Sequence, residues 1–175
     1  MDEKMKIGLE IERKYIIKMP DVATLAAQTD YTESSITQIY ISGEVGETRR
    51  VRRREYHNCT LYIETRKIRV DSMSSTEIER EIDEREFEAL SRCILDGTRP
   101  IEKARHAFTY RGQLFEIDVY PQWKSTAIME TELSTPDTVV EMPDFLHIIR
   151  EVTGNKAYSN AAMSRAFPQE ETQSG

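Results

Sequence analysis

Charged and apolar residues alternate along a short stretch near the start of the chain, from Glu10 to Lys14. In an extended strand, residues two apart share a face, so Glu10, Glu12 and Lys14 lie together and apolar residues lie opposite. The alternation runs through residues 8–17, which are rich in β-branched and aromatic side chains, and therefore predicts a strand rather than a helix. Taken alone, such a strand is also compatible with an ordinary solvated sheet face.

Similar two-residue alternation predicts about eight strands of antiparallel character, interrupted by a few helices. The other strands are predicted at 36–42, 48–55, 60–70, about 77–82, from 100 through 105, 114–120 and 127–133. Helices are predicted at 22–29, 84–95, 143–152 and 156–166, and the stretch from Pro168 has the composition of a disordered tail. These elements predict an α+β chain on a closed or nearly closed sheet, with one domain at 1–167 and a disordered tail at 168–175.

The composition limits the partners of the chain. Its 175 residues suffice for one domain with a proper core, and 38% of them are hydrophobic. Asp and Glu number 31 against 24 Lys and Arg, and the net charge of -7 argues against nucleic acid and anionic membranes as partners. The sequence has no apolar run typical of a signal peptide or a membrane span, so we expect a soluble cytoplasmic protein. Cys59 and Cys93 lack metal-site spacing and are expected to be buried thiols.

The charged faces recur on one predicted strand after another. Their members are Glu10/Glu12/Lys14, Arg50/Arg52, Lys67, Glu77/Glu79/Glu81, Lys103/Arg105, Glu116/Asp118 and Glu130/Glu132. They could form the solvent side of an open sheet, but such faces usually mix in Thr, Ser and Gln. Alternatively, they line a water-filled barrel, because a dry interior could not hold so many charges.

A charged lumen of this kind suits a polyphosphate. Arg and Lys from several strands can bind its oxygens, and Mg²⁺ or Mn²⁺ can lie between those oxygens and the carboxylates. The implied chemistry is phosphoryl transfer to water or to an internal hydroxyl, driven by positioning, charge neutralisation and metal activation.

The ordered motifs resemble those of the CYTH superfamily, the triphosphate tunnel metalloenzymes. Residues 10–14 match its ExExK signature, Arg50-Val51-Arg52 its RxR strand and Thr65-Arg66-Lys67 its TxK. The chain continues with motifs similar to EKxR at 102–105, ExD at 116–118 and ExE at 130–132. Residues 151–160 resemble the C-terminal helical segment of the family.

The resemblance implies a closed eight-stranded antiparallel β-barrel with helices packed outside and a C-terminal helical segment. It implies an Mg²⁺ or Mn²⁺ site formed by Glu10, Glu12, Glu79, Asp118, Glu130 and Glu132, with Glu77 and Glu81 as alternatives to Glu79. It assigns catalysis to Glu10, Glu12, Lys14 and Asp118, and triphosphate binding to Lys14, Arg50, Arg52, Lys67, Lys103 and Arg105. Arg54 and Glu116 also fit the charged inner face, because each is two residues from another member of it on the same strand.

The expected activity is metal-dependent hydrolysis of tripolyphosphate or of a nucleoside or organic triphosphate, a small-molecule partner, by a monomer or homodimer. Two alternatives remain at this point. One is cyclisation of ATP to cyclic AMP, although Ile7-Gly8-Leu9 stands where the cyclase version has a His-Phe pair. The other is a module that binds triphosphate or polyphosphate without turnover.

Overall fold

The computed structural model describes residues 5–171 and contains nine strands within that range. The strands are β1 (Met5–Lys18), β2 (Thr29–Ile41), β3 (Glu47–Tyr56), β4 (Cys59–Arg69), β5 (Ser74–Ile82), β6 (Ile101–Tyr110), β7 (Gln113–Val119), β8 (Thr126–Glu132) and β9 (Ile148–Glu151). The helices are α1 (Val22–Ala26), α2 (Glu84–Ser91) and α3 (Asn160–Met163), and Lys156–Tyr158 forms a 3-10 turn.

Eight of the strands form a closed antiparallel barrel, which confirms the predicted fold. Their order is β5-β4-β3-β2-β6-β7-β8-β1, and β1 pairs again with β5 to close the sheet. The long β1 makes closure possible because it pairs with β5 through Met5–Ile11 and with β8 through Glu12–Lys18. β9 is an extra strand that pairs with β1 at Tyr15–Ile17, beyond the point where the β5 pairing ends.

Three apolar clusters hold the barrel. Outside, one cluster centred on Phe108, Phe115 and Met129 packs against α1 and the segment 140–148. A second outer cluster lies under α2, where Phe87 packs with Val51 and its neighbours. The third is formed largely by inward-facing residues at one end of the barrel; it contains Ile16, Tyr40, Ile101, Tyr120, Trp123, Ile128, Val152, Tyr158 and Met163. The apolar packing at this end confines the charged interior to the remaining length of the barrel.

The structure corrects several predicted elements. The predicted helix 22–29 ends at Ala26, and the next strand begins at Thr29 rather than 36 because it pairs along β6. The predicted helix 143–152 is wrong: this region is irregular until β9, whose residues pair with β1. The predicted helix 156–166 is only the 3-10 turn and α3. Cys59 and Cys93 are exposed, not buried. Within residues 5–171, no helix is long and apolar enough to cross a membrane.

Residues 168–171 contact the barrel at three places. Trp123 Nε1 donates to the carbonyl of Pro168, and Glu170 accepts hydrogen bonds from the backbone amides of Ser125 and Thr126. Glu171 accepts from Arg150 Nε at 2.8 Å. In the segment predicted to be disordered, 168–175, three of the first four residues are thus hydrogen-bonded, and 172–175 lie outside the described residues.

Replacing Phe108 by Ala tests the outer cluster. Phe108 is 0% exposed and its ring lies 5.8 Å from that of Phe115, so truncation leaves a cavity. We expect the free energy of unfolding to fall by about 3–5 kcal/mol in urea titrations. The control Ile7→Thr changes a side chain that is 65% exposed and should stay within about 0.5 kcal/mol of the parent. Equal losses in the two variants would contradict the assignment of this cluster as core.

Candidate functional site: a charged cavity inside the barrel

A cavity of about 540 Å³ occupies the interior of the barrel. The strand registers explain its lining, because residues directly opposite in antiparallel strands point to the same face. Lys14 stands opposite Glu130, and Arg50 stands opposite Thr65, so their side chains converge inside. The charged residues on its wall are Lys6, Glu10, Glu12, Lys14, Arg50, Arg52, Arg54, Lys67, Arg69, Glu77, Glu79, Arg105, Glu116, Glu130, Glu132 and Lys156.

Lys67 joins two carboxylates on one wall of the cavity. Its Nζ lies 2.6 Å from Glu10 Oε2 and 2.9 Å from Glu77 Oε1. The two partners come from β1 and β5, the strands whose pairing closes the barrel. Of the three candidates at 77, 79 and 81, Glu77 is therefore the one that shares a cation with Glu10.

Lys14 makes a matching pair farther along β1, where that strand pairs with β8. Its Nζ lies 2.8 Å from Glu130 Oε1 and 4.0 Å from Glu12 Oε1, and it also donates to the carbonyl of Tyr158 at 3.4 Å. The backbone amide of Lys14 donates to Thr153 Oγ1. The C-terminal segment thus accepts hydrogen bonds from both the backbone amide and the ammonium group of Lys14 and holds this side chain in place.

Arg50 and Arg52 face the carboxylates from β3. Arg52 Nη2 lies 3.1 Å from Glu79 Oε1, and Arg50 Nη2 lies 3.9 Å from Glu77 Oε1. Among the described residues, the Nε atoms of both arginines are buried without a hydrogen-bond partner. Both arginine side chains also line the cavity.

Burial disfavours the ionised carboxylates of Glu10 and Glu12 more than the neighbouring cations favour them. Loss of water on burial raises the pKa of Glu10 to about 7, and the charge of Lys67 offsets only part of that rise. Burial raises the pKa of Glu12 as well, and the nearby charge of Glu130 adds to the effect. At Glu130, burial also works to raise the pKa, but the charges of Lys14, Arg105 and Lys103 together outweigh it and lower the pKa to about 2.

Most of the predicted site residues line the cavity, with two exceptions. Those on its wall are Glu10, Glu12, Lys14, Arg50, Arg52, Lys67, Glu79, Arg105, Glu130 and Glu132, together with Glu77, Arg54 and Glu116. Lys103 and Asp118 do not line it, because each side chain is only 1% exposed in a mutual ion pair. Glu81, an alternative to Glu79, does not line the cavity either; it lies in a smaller hollow that shares Lys6 and Glu79 with the cavity.

Sequence reasoning missed one wall of the cavity. Residues Val152–Lys156 and Ser159–Ala162 contribute to it, although the sequence presents them only as a helical segment. Tyr40 and Thr65 also line the cavity, and both are in phase with predicted inward positions on their strands. The two-residue alternation of the strands could have identified Tyr40 and Thr65. The C-terminal wall could not be found in this way, because its position depends on hydrogen bonds to β1.

The donor chemistry of the cavity fits a hard divalent cation. The carboxylates of Glu10, Glu12, Glu130 and Glu132 all project from β1 and β8, and oxygen ligands are those that Mg²⁺ and Mn²⁺ prefer. Because burial raises the pKa of Glu10 and Glu12, a cation bound beside them would favour their ionised form. Within residues 5–171, no three His, Cys, Asp or Glu side chains stand together as a ready metal site, because Lys14 and Lys67 occupy positions among the carboxylates.

Fold and cavity together define a CYTH-type tunnel architecture: a closed eight-stranded antiparallel barrel with opposing acidic and basic groups inside. Solved structures confirm the resemblance. The inorganic triphosphatase NE1496 is 27% identical, with a TM-score of 0.56, over 91% of this chain and 97% of that one. Protein PH1819 from Pyrococcus horikoshii OT3 is 20% identical, with a TM-score of 0.56, over 73% of this chain and 80% of that one.

A conserved hypothetical protein from Pyrococcus furiosus is 23% identical, with a TM-score of 0.53, over 73% of this chain and 81% of that one. The two Pyrococcus proteins support the fold alone. No protein-family model matches the sequence, and no curated protein matches it.

The pKa of Glu10 predicts a pH-dependent stability. In buffer with a chelator, the folded chain keeps the Glu10 proton up to about pH 7, whereas the unfolded chain releases it near the ordinary value of 4.5. The free energy of unfolding should therefore fall as the pH rises through this window. Glu10→Gln should reduce the fall and be more stable than the parent above about pH 7 in urea titrations. The control Glu102→Gln, at an exposed position, should show the same pH-dependent fall in the free energy of unfolding as the parent. A fall of the same size in Glu10→Gln would refute the prediction.

Proposed function

We propose that this protein hydrolyses a triphosphate, inorganic tripolyphosphate or a nucleoside or organic triphosphate, in the cavity with the help of a divalent cation. The observation that carries the proposal is the pair of arginines, Arg50 and Arg52, which line the cavity beside carboxylates and whose buried Nε atoms have no hydrogen-bond partner among the described residues. A chain of phosphate oxygens in the cavity would offer acceptors to the two guanidinium groups. The likeness to the inorganic triphosphatase NE1496 supports the same reaction class.

The cations would bind the substrate by exchanging partners. In the structure, the ammonium groups of Lys14 and Lys67 pair with Glu130 and Glu10. A phosphate chain in the cavity would take over those ammonium groups, together with Arg50, Arg52 and Arg105. Glu10 and Glu130 would then be released to act as ligands. Substrate and cation would therefore bind cooperatively, since each compensates the charge that the other leaves unpaired.

Glu10, Glu12, Glu130 and Glu132 would hold the cation, and Glu77 adjoins this group through Lys67. When bound, Mg²⁺ or Mn²⁺ would neutralise phosphate charge and polarise the reacting phosphoryl group. Glu79 is paired with Arg52 and stands farther along β5, so its place among the ligands rests on the resemblance alone. Water is proposed as the acceptor of the phosphoryl group.

A phosphate-release assay tests the reaction directly. Tripolyphosphate, ATP, GTP and thiamine triphosphate would each be incubated with Mg²⁺ or Mn²⁺, with a chelator as the metal-free control. We expect phosphate from at least one substrate and none with the chelator. Tight triphosphate binding without phosphate release would instead identify a binding module, and cyclic AMP from ATP would identify a cyclase.

Glu10→Gln and Glu12→Gln should each lower kcat by about 100-fold or more, because each removes charge and a ligand from the proposed metal site. The matched control is Glu102→Gln, a change at an exposed position on β6. Thermal unfolding would establish that all three variants are folded. Parent-like kcat in either cavity variant would contradict the proposed metal site.

Arg52→Gln should weaken tripolyphosphate binding by about 10-fold or more, since a charge-assisted hydrogen bond is worth about 1.5–3 kcal/mol. Arg53→Gln is a matched control at the next residue, on the outer face of the same strand. Calorimetry in the presence of a chelator measures binding without turnover. Equal affinities for the two variants would remove Arg52 from the binding set.

A further inference from the structure

A buried ion pair lies directly behind the cavity wall. Lys103 Nζ is 2.5 Å from Asp118 Oδ2, and each side chain is only 1% exposed. The CYTH resemblance assigns Lys103 to the triphosphate and Asp118 to metal binding and catalysis, yet neither side chain lines the cavity. Lys103 and Asp118 can therefore influence a ligand in the cavity only through a neighbouring side chain that lines the cavity.

That neighbour is Arg105, which stands opposite Asp118 in the pairing of β6 with β7. Arg105 Nε donates to Asp118 Oδ1 at 2.7 Å, and Nη2 donates to Oδ2 at 2.8 Å. Two parallel bonds between a guanidinium and a carboxylate fix both the plane and the direction of the guanidinium. Arg105 also lines the cavity, where Nη1 donates to Glu116 and Nη2 lies 3.4 Å from Glu130.

The oxygens of Asp118 are fully engaged. Oδ1 accepts from Arg105, and Oδ2 accepts from both Arg105 and Lys103, while the residue is 0% exposed. Although burial works to raise the pKa of Asp118, the charges of Arg105 and Lys103 outweigh it and hold that pKa well below its ordinary range. The carboxylate is therefore enclosed by Arg105 and Lys103 and does not line the cavity.

Lys103 completes the support on the side of the apolar cluster. Its Nζ lies 5.8 Å from the centre of the Tyr120 ring, and Tyr120 is completely buried. The ammonium group thus lies between the apolar end of the barrel and Asp118, which keeps the carboxylate from turning away from Arg105.

We propose that Asp118 is a positioning residue that anchors Arg105, and that Lys103 secures this anchor, so that the Nη atoms of Arg105 face the bound phosphate chain. Asp118 neither ligates the metal ion nor touches the substrate. The inference rests on the proposed function, because the phosphate-binding role of Arg105 is assigned there.

A double-mutant cycle tests whether Asp118 acts through Arg105. Tripolyphosphate affinity would be measured by calorimetry in a chelator for the parent, Asp118→Asn, Arg105→Met and the double variant. We expect about 10-fold weaker binding for each single variant. The double variant should match Arg105→Met within about threefold. Additive losses, or parent-like binding by Asp118→Asn, would overturn the proposal.

Asp118→Asn leaves two buried cations without their shared anion and can fail to fold. The cycle is then run in a Lys103→Met background, which removes one of the two cations left unpaired.

Mn²⁺ binding, measured by electron paramagnetic resonance in the same variants, shows whether Asp118 is a metal ligand or a positioning residue. The Asn variant should keep Mn²⁺ affinity within about threefold of its own background, whereas Glu10→Gln should lose about 10-fold or more. An equal loss in both would identify Asp118 as a ligand and overturn the proposal.

The Nε–H signal of Arg105 in nuclear magnetic resonance tests the anchor without any ligand. Slow exchange with solvent in the parent and fast exchange in Asp118→Asn would support the anchor. Equal exchange in both would refute it. If the parent bound no tripolyphosphate, the proposed function would fail, and this signal would still decide whether Asp118 holds Arg105.

Discussion

Charge compensation inside the barrel is the constraint on which the structure depends. Removing an ion from water costs several kcal/mol, so an inward carboxylate is tolerated only beside a cation or a bound ligand. Lys67 meets part of this need for Glu10 and pairs with Glu77, and Lys14 pairs with Glu130. The Lys67–Glu10 and Lys14–Glu130 pairs connect strands that are distant in sequence, so these contacts also hold the walls of the cavity together.

The barrel could be predicted from the sequence because alternation of charged and apolar residues specifies both the strands and their inner faces. The start of β2 could not be predicted, because residues 29–35 are mostly polar on both faces and form a strand only by pairing with β6. The region 143–152 has helical spacing, but β1 offers an open edge beyond Ile11, and β9 pairs there. Tertiary pairing overrode local preference in both regions.

Within the site, the two-residue alternation predicts which side chains point into the barrel, but it does not predict how deeply each is buried there. Lys103 and Arg105 share phase and charge, yet one is enclosed against Tyr120 while the other reaches the cavity. Depth depends on how the apolar cluster fills one end of the barrel, which involves residues from most of the chain. The choice among Glu77, Glu79 and Glu81 similarly follows from the register of β5 against β1.

The pairings of β1 have a consequence for the order of folding during synthesis. Thr153 contacts Lys14 across a separation of 139 residues, and β8 pairs with the same half of β1. The ribosome must therefore release most of the chain before the sheet can close, and until then β1 lacks its β8 and β9 partners. Long-range pairing makes closure slow, and an unpaired edge is an aggregation hazard. The charged residues on β1 that serve the cavity also discourage premature edge-to-edge association.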